Sequence, residues 1–189
     1  MNPLFPIFLK LDKLQTLVVG GGNVGLEKTE AIFVNSPTAH VTLIAPYIKD
    51  EIRAIAQAHP TLLLIERNFE WTDLENRDIV ICTTDNKELH KEIYTKAKAL
   101  KILINVADTP DLCDFYLGSI VRKGNLKIAI STNGQSPTFA KRLKETLNDA
   151  LESDNINELL ENLRKVRDKL TGDFNHKVKT LNELTKKLE

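Results

Sequence analysis

The sequence lacks the residues that mark several large protein classes. Only two of its 189 residues are cysteines, Cys82 and Cys113, and they do not form a C-x-x-C pair. Two isolated cysteines exclude a disulfide-rich secreted scaffold. No apolar run approaches the roughly 20 residues that span a bilayer, and the N-terminal stretch lacks the basic start and cleavage site of a signal peptide. We therefore expect a cytoplasmic protein without a membrane partner.

An excess of charge of either sign is also missing. Lys and Arg number 26, and so do Asp and Glu. This balance gives no indication of a nucleic-acid partner. The four histidines are scattered, with no two at i, i+4 spacing and no Cys/His cluster of zinc-ligand spacing, so no permanent metal site is expected.

The first part of the chain instead alternates between two kinds of segment. Short apolar runs rich in β-branched residues occupy 16–19, 40–44, 62–65, 78–82 and 102–105. Stretches with helical length and spacing lie at 24–35, 47–58 and 87–100. Near-continuous apolar strands are typical of a parallel sheet covered on both faces. The pattern predicts an α/β, Rossmann-type domain over residues 1–112.

Two further regions follow. Residues 113–147 read as a small α+β segment, with strands at 115–121 and 126–131 joined by a turn at Gly124-Asn125. Ser136 and Pro137 then open a helix as N-cap and first helical residue. Residues 148–189 read as a helical tail, with amphipathic helices at 156–170 and 175–188 separated near Gly172. Their apolar stripes must be buried against the middle segment or a second subunit.

The loop after the first strand carries a phosphate-binding pattern. Residues 20–25 read GGGNVG and match G-x-G-x-x-G, with glycines at Gly20, Gly22 and Gly25. These glycines permit a tight turn, a close approach to a pyrophosphate and close packing of helix on strand. The helix N-terminus then offers N–H groups to the phosphates. The pattern predicts dinucleotide binding, and a merely structural glycine-rich turn is the alternative.

Residues at the ends of two other strands are candidate contacts for the same dinucleotide. The second strand runs into Pro46 and Tyr47, where an acidic residue would normally bind the ribose hydroxyls. That absence leaves NAD and NADP undecided, although the lack of an Arg directly after the strand favours NAD. The fourth strand ends in the polar run Thr83, Thr84, Asp85 and Asn86, at the sheet edge where α/β folds bind ligands. The alternative role for these polar residues is to cap the next helix.

Asp108 is the candidate acid/base. It follows the fifth strand and should face the ligand crevice, where a partly buried carboxylate could take a proton while the cofactor takes a hydride. The alternative is that Asp108 initiates a turn ahead of Pro110. Asp111 and Asp114 are weaker candidates, because they lie further from the strand end.

The middle segment is locally basic within a neutral protein. Residues 112–146 contain six basic and two acidic side chains; the basic ones are Arg122, Lys123, Lys127, Lys141, Arg142 and Lys144. The segment 131–137 between them adds hydroxyls and a helix N-terminus, which suits an anion. One interpretation is attraction of a polyanionic substrate, and the other is a solvated surface.

These pieces, in this order, resemble the sirohaem synthase N-terminal family, the precorrin-2 dehydrogenases. The resemblance covers about residues 3–147 and rests on FPIFLKL at 5–11, VVGGGNVG at 18–25, IAP at 44–46, TTD at 83–85, NVAD at 105–108 and ISTNGQSP at 130–137. One departure is Gln135, where the family often has lysine.

The resemblance implies a function and a set of site residues. Family members oxidise precorrin-2 to sirohydrochlorin with NAD, and many then insert ferrous iron, as a substrate, to give sirohaem. They are homodimers with a Rossmann domain, a central dimerisation segment and a helical tail. The family's essential aspartate falls on Asp108. The cofactor contacts that the resemblance implies are Gly22, Asn23, Val24, Pro46 and Tyr47. The loop motif adds Gly20 and Gly25, and the end of the fourth strand adds Thr83, Thr84 and Asp85.

The implied tetrapyrrole contacts lie in the basic segment, since precorrin-2 carries eight carboxylates. They are Ser131, Thr132, Asn133, Ser136, Lys141 and Arg142. Two alternatives stay open. One is a non-catalytic, NAD-sensing Rossmann regulatory domain, and the other is a different small-molecule dehydrogenase on the same fold.

Overall fold

The computed structural model describes residues 2–151, 153–171 and 173–186. The chain divides into two compact units, Phe5–Leu117 and Gly118–Glu189, with Met1–Leu4 grouped with the second. None of the helices that the structure describes combines the length and apolarity needed to cross a bilayer.

The first unit is a five-stranded parallel sheet flanked by helices. Its strands are β1 (Gln15–Val19), β2 (His40–Ala45), β3 (Leu62–Glu66), β4 (Ile79–Cys82) and β5 (Leu103–Val106), in the order β3-β2-β1-β4-β5. The helices are α1 (Asn23–Asn35), α2 (Asp50–Ala58) and α3 (Lys87–Ala99), with 3-10 turns at Leu11–Lys13, Trp71–Leu74 and Pro110–Leu112. The predicted Rossmann-type fold class is confirmed.

The strand order reverses at β1, which pairs with β2 on one side and β4 on the other. Val19 of β1 is in register with Ile44 and with Cys82. The loops that follow these three strands therefore start at the same level of one sheet edge. In open α/β sheets, a ligand binds at this switch point, beyond the carboxyl ends of the strands.

The central strands β1, β2 and β4 are largely apolar because both faces of the sheet are buried there. Val18 and Leu43 pack in one cluster, whereas Leu17 and Ile44 pack in the other. All four side chains are completely inaccessible to solvent. Burial on both faces makes the apolar runs continuous instead of alternating.

The helix Ser153–Lys169 begins three residues before its predicted start. Two other predicted boundaries are wrong for a reason that tertiary hydrogen bonds show. Helix α2 begins at Asp50, not at 47, because the preceding loop is drawn to the phosphate loop: the Lys49 N–H donates to the Gly21 carbonyl at 3.1 Å. The first strand of the second unit begins at 119, not at 115. The segment before it is held against β5 instead, where the Asp114 N–H donates to the Ile104 carbonyl at 2.7 Å.

The second unit contains a hairpin and three helices. The strands β6 (Ser119–Lys123) and β7 (Leu126–Ile130) are antiparallel, and α4 (Pro137–Ala150), α5 (Ser153–Lys169) and α6 (Phe174–Thr185) follow. The hairpin turn lies at Gly124-Asn125 as predicted, with Gly124 at φ 57°. The Ser136 hydroxyl caps α4 by accepting from the Phe139 N–H at 3.2 Å. The predicted break between the last two helices is confirmed, since α5 ends at Lys169 and α6 begins at Phe174. Gly172 itself and the predicted helix end at Leu188 lie outside the described residues.

Asp73, in the turn before β4, makes the best-satisfied buried ion pair of the described first unit, and its removal should destabilise the fold. Its carboxylate, 8% exposed, accepts from both terminal nitrogens of Arg67 at 2.6 and 2.8 Å and from the Glu70 N–H at 2.8 Å. The Arg67 guanidinium lowers the pKa of Asp73 below its usual 3.8. Asp73→Asn should therefore reduce the free energy of unfolding by about 1–3 kcal/mol at neutral pH.

The pH dependence of the stability difference shows whether the loss in Asp73→Asn comes from the carboxylate charge. A carboxyl whose pKa is lowered on folding stabilises the protein above its unfolded-state pKa and loses that contribution as the pH falls through the folded-state value. Urea denaturation should thus show a gap between Asp73→Asn and wild type that closes below pH 3.8. Asp50→Asn is the control, because the Asp50 side chain is 99% exposed. An equal loss in both variants would contradict the assignment.

Candidate functional site

Two of the three motif glycines in the phosphate loop cannot be replaced without a clash. Gly20 has φ 120°, and a Cβ there would lie 2.5 Å from the Thr83 Oγ1. A Cβ on Gly25 would lie 2.3 Å from the Gly20 carbonyl oxygen. These contacts hold the loop, the start of α1 and the end of β4 together. The first and third glycines of the motif therefore have the packing roles that the motif predicts.

Gly21 is a loop residue that the motif does not single out. A Cβ at Gly21 would lie 2.4 Å from the Tyr47 carbonyl oxygen and 3.0 Å from the Ala45 Cβ. The β2–α2 loop thus packs directly on the phosphate loop. Gly22 differs from Gly20, Gly21 and Gly25, since a Cβ on Gly22 would meet nothing within 4 Å. The run of three glycines is the sequence signal for this close packing, although it does not show which glycine serves which neighbour.

A cleft of about 390 Å³ opens beyond the carboxyl ends of β1, β2 and β4. It is lined by Gly20, Gly21, Gly22, Asn23, Val24, Ala45, Pro46, Tyr47, Thr83, Thr84 and Asp85. Nine of the ten sequence-predicted cofactor residues are among them, and the tenth, Gly25, lies behind the wall in α1. The N-terminus of α1 opens onto the cleft, and helix N-termini favour anions. The cleft therefore fits the pyrophosphate and ribose of a dinucleotide.

Lys49 is a cation beside this cleft that sequence reasoning missed. Its ammonium donates to the Asn23 Oδ1 at 2.9 Å and lies 3.2 Å from a Glu51 carboxylate oxygen. The expected sequence signal is a basic residue directly after β2, whereas Lys49 lies four residues beyond the strand. It orients the Asn23 side chain and adds positive charge on the side where a ribose would bind.

The polar residues after β4 divide their roles. The Thr83 hydroxyl is buried and lies 3.0 and 3.1 Å from the carbonyl oxygens of Val19 and Gly20, which share its single proton, so it braces the phosphate loop. Helix α3 is capped by Asn86, whose side chain accepts from the Leu89 N–H at 3.0 Å. The capping alternative therefore falls on Asn86. Asp85 is exposed on the wall of the cleft.

His90 of α3 lies directly beneath this wall. It is 4% exposed, and its Nε2 is 2.9 Å from the Thr84 hydroxyl oxygen. Burial lowers the pKa of His90 below its usual 6.5, and the nearby Asp85 charge opposes this shift. The neutral ring is therefore the form that the fold favours.

This burial predicts a stability change with pH. A histidine whose pKa is lowered on folding costs stability once the pH falls below its unfolded-state value of 6.5. We expect the melting temperature of wild type to fall from pH 7.5 to 5.5 and the fall to be smaller in His90→Gln. Differential scanning fluorimetry measures both. His40→Gln, on an exposed residue of β2, is the control. An identical pH dependence in wild type and His90→Gln would contradict the prediction.

Asp108 lies in a tight turn that follows β5. The Thr109 N–H donates to the Val106 carbonyl at 3.3 Å, and the Ala107 N–H donates to the Cys82 carbonyl at 2.9 Å. The second contact ties the turn to the end of β4, at the same sheet edge as the cleft. Asp108 itself adopts φ 56°, which non-glycine residues other than Asn and Asp rarely do.

The surroundings of Asp108 differ from the expectation in one respect. Its carboxylate is exposed rather than partly buried, and it does not line the cleft. An exposed carboxylate beyond the sheet edge is accessible to a large substrate. The left-handed φ of Asp108 agrees with the turn alternative, and its accessible carboxylate at the sheet edge is what supports the role of acid/base.

The predicted substrate residues lie in the second unit, on β7–α4. The hydroxyl oxygens of Ser131, Thr132 and Ser136 each accept a backbone N–H of this loop, at 3.1–3.2 Å. Asn133 adopts φ 54° at the same turn. Lys141 and Arg142 are exposed on the first turns of α4. The structure thus brings these residues onto one loop and helix start, where the hydroxyls also have local structural partners.

No group of three or more His, Cys, Asp or Glu side chains is arranged to hold a metal ion within the described ranges.

Family profiles match most of the chain. Residues 7–119 match a family described as "Putative NAD(P)-binding", and residues 123–150 match the family "Sirohaem biosynthesis protein central". The first match covers the phosphate loop, the cleft and Asp108. The second covers the basic loop and α4.

Individual proteins are similar over nearly the whole chain. The siroheme synthase of Psychrobacter arcticus is 35% identical over 177 residues, which are 94% of this chain and 31% of that protein. The siroheme synthase of Pseudoalteromonas translucida is 35% identical over 171 residues, 90% of this chain and 35% of that protein. The chain thus spans about a third of the length of these relatives. A solved structure titled "SirC, precorrin-2 dehydrogenase" shares the fold, with a TM-score of 0.72, 24% identity and coverage of 96% of this chain and 89% of that one.

Proposed function

The chain belongs to the sirohaem synthase N-terminal family, and from that premise we propose that it is an NAD-dependent dehydrogenase that oxidises precorrin-2 to sirohydrochlorin. The observation that carries the proposal is the cleft at the β1 switch point, where the phosphate loop, Tyr47 and the Thr83–Asp85 segment meet. Asp108 lies one strand away on the same sheet edge. A dinucleotide site beside an accessible carboxylate suits oxidation of a large substrate.

The chemistry balances with these residues. Oxidation of precorrin-2 removes a hydride and a proton, and NAD, when bound, is the hydride acceptor. The N-terminus of α1 and the backbone of Gly22 would bind the phosphates of the cofactor, with Asn23, which Lys49 orients, as a further polar group on the same cleft wall. The Asp108 carboxylate accepts the proton as a general base. Its exposure allows it to pass that proton on to solvent.

Ferrous iron insertion is proposed as a second activity at the same carboxylate. Iron replaces the two pyrrole N–H protons of sirohydrochlorin, so a base beside the macrocycle helps the metal to enter. Asp108 can accept those protons in the same way as in the oxidation. Iron is thus a substrate of the reaction.

We also propose that the protein is a homodimer and that its chain works as three regions, 1–112, 113–147 and 148–189. The second unit supports this proposal through its thin apolar core. Among its described residues, Val121 and Ala140 are the buried hydrophobic ones, whereas Phe139 is 59% and Phe174 79% exposed. A second copy could cover such side chains. The basic loop and α4 would then contribute Ser131, Lys141 and Arg142 to tetrapyrrole binding in a cytoplasmic enzyme.

The experiment is an anaerobic turnover assay. Purified protein is incubated with enzymatically generated precorrin-2 and NAD, and absorbance follows NADH and sirohydrochlorin. Parallel reactions with NADP test whether Lys49 admits a 2′-phosphate. Ferrous iron is added after oxidation is complete, next to a protein-free control. Turnover that depends on NAD supports the dehydrogenase, and iron insertion faster than the control supports the chelatase.

A second candidate function is a non-catalytic NAD-sensing domain. The observation that favours it is that Asp108 does not line the cleft. In that case isothermal titration would show NAD binding, while the assay with precorrin-2 would show no turnover above background. That pair of results would reject the dehydrogenase and support the sensor.

A further inference from the structure

We infer that Cys113 is a positioning residue whose thiol holds the Asp108 turn in its working conformation. The inference rests on the proposed function, because it assigns a role in the reaction to a residue that acts through Asp108. It is carried by the contacts of one side chain with the backbone on both sides of the candidate base.

The thiol contacts the turn at its first and last residues. The Cys113 Sγ lies 3.2 Å from the Val106 N–H nitrogen, 3.2 Å from the Val106 carbonyl oxygen and 3.3 Å from the Thr109 carbonyl oxygen. The single S–H proton can be donated to one of these two carbonyls at a time, while the sulfur accepts the Val106 N–H. Asp108 lies between the two contacted residues.

The turn needs such a support. Its own closing hydrogen bond, from the Thr109 N–H to the Val106 carbonyl, is long at 3.3 Å. A left-handed backbone at Asp108 persists only where the surroundings hold it. β5 is also an edge strand, so no neighbouring strand binds the Val106 backbone on its outer side. The thiol occupies the place of that missing strand.

The segment that carries Cys113 is anchored independently of the turn. The Asp114 N–H donates to the Ile104 carbonyl at 2.7 Å, and the Asp114 carboxylate accepts from the Ile104 N–H at 3.1 Å. One residue further along, the Phe115 carbonyl accepts from the side-chain amide of Asn105 in β5 at 2.8 Å. These bonds fix Cys113 against β5, so the thiol can act as a rigid clamp.

The thiol is suited to this role rather than to nucleophilic chemistry. Cys113 is half-buried, and its burial raises the pKa of the thiol above its usual 9.0. It therefore stays protonated at neutral pH and remains a donor to the turn carbonyls. Reactive cysteines have the opposite property, a lowered thiol pKa.

The test compares Cys113→Ala, Cys113→Ser and Cys82→Ala. Cys82 is buried at the end of β4, and its side chain has no hydrogen bond to the Asp108 turn among the described contacts. The Cys82 carbonyl, which accepts from the Ala107 N–H of the turn, is retained in Cys82→Ala, so this truncation is the matched control for loss of packing. Steady-state kinetics give kcat, and isothermal titration gives the Kd for NAD. Amide hydrogen exchange by NMR reports the protection of the Val106 and Thr109 N–H groups.

We expect Cys113→Ala to lower kcat by about 10- to 100-fold, the scale of a small misplacement of a catalytic group. The Kd for NAD should stay within about twofold, since the cleft is untouched. Cys113→Ser should restore most of the rate, because a hydroxyl also donates and accepts. The Val106 and Thr109 amides should exchange faster in the alanine variant, while Cys82→Ala should change neither these amides nor kcat.

Two results would overturn the inference: a kcat of Cys113→Ala within twofold of wild type, or equal losses in Cys113→Ala and Cys82→Ala. Failure of the proposed function looks different, since wild type would then bind NAD without turnover. In that case the amide exchange rates would still show whether Cys113 holds the Asp108 turn. Unchanged protection of Val106 and Thr109 in Cys113→Ala would reject the clamp, and lost protection would support it.

Discussion

Asp108→Asn is expected to lower kcat for the oxidation of precorrin-2 by at least about 100-fold, because a positioned general base contributes roughly 10²- to 10⁴-fold. Asparagine also tolerates the left-handed φ of 56° at this position. The turn should therefore keep its shape, and the loss should reflect the missing carboxylate alone. The Kd for NAD should stay within about twofold, since Asp108 does not line the cleft. Anaerobic kinetics and isothermal titration measure the two quantities.

Asp111→Asn is the matched control for this variant. Asp111 lies in the 3-10 turn Pro110–Leu112 of the same loop and is exposed like Asp108. Its change removes the same charge three residues away, so it should leave kcat within about twofold. Equal losses in the two variants would show that loop charge, and not a base at Asp108, governs the rate. Iron insertion should follow the same pattern if one carboxylate serves both steps.

Gly25→Ala is expected to reduce both stability and cofactor affinity. The new methyl group would lie 2.3 Å from the Gly20 carbonyl oxygen and 3.2 Å from the Thr83 Oγ1. Relief of this overlap must shift the phosphate loop or α1, at a cost of about 1–3 kcal/mol in the free energy of unfolding. The displaced loop should bind NAD at least about 10-fold more weakly. Urea denaturation and isothermal titration give both values.

Gly22→Ala separates the two effects. A Cβ on Gly22 meets nothing within 4 Å, and its φ of −84° is ordinary for alanine. Stability should therefore stay within about 0.5 kcal/mol of wild type. The methyl group nevertheless projects where the backbone approaches a pyrophosphate, so NAD affinity should still fall. Retained NAD affinity in Gly22→Ala, or unchanged stability in Gly25→Ala, would contradict this account of the loop.

The fold and the outline of the cleft could be predicted from sequence because their causes are local. The apolar runs appear because the central strands are buried on both faces, and the intervening helical stretches return the chain to the sheet. Strand ends in a parallel sheet share one edge, so Gly20, Pro46 and Thr83 could be expected near one another. The cleft gathers these residues.

The boundaries and the supporting contacts could not be predicted in this way. Lys49 reaches Asn23 across 26 residues of sequence, and the Thr83 hydroxyl reaches the Val19 carbonyl across 64. No periodicity or motif encodes such pairs. The late start of β6 is also due to a contact that is distant in sequence. The segment at Asp114, beside the predicted start of this strand, forms hydrogen bonds to the edge of β5 instead.

The sequence by itself determined the Rossmann-type architecture, the phosphate loop and the choice of Asp108 as candidate base. Periodic burial and glycine geometry act over a few residues, so they can be read along the chain. Only the tertiary structure decided that Asp108 is exposed, that His90 supports Thr84 and that Cys113 clamps the Asp108 turn. Those properties depend on which groups from distant parts of the chain become neighbours once the sheet has formed. The roles of Asp108, His90 and Cys113 therefore follow from their distances to other groups and from their burial, and not from residue type alone.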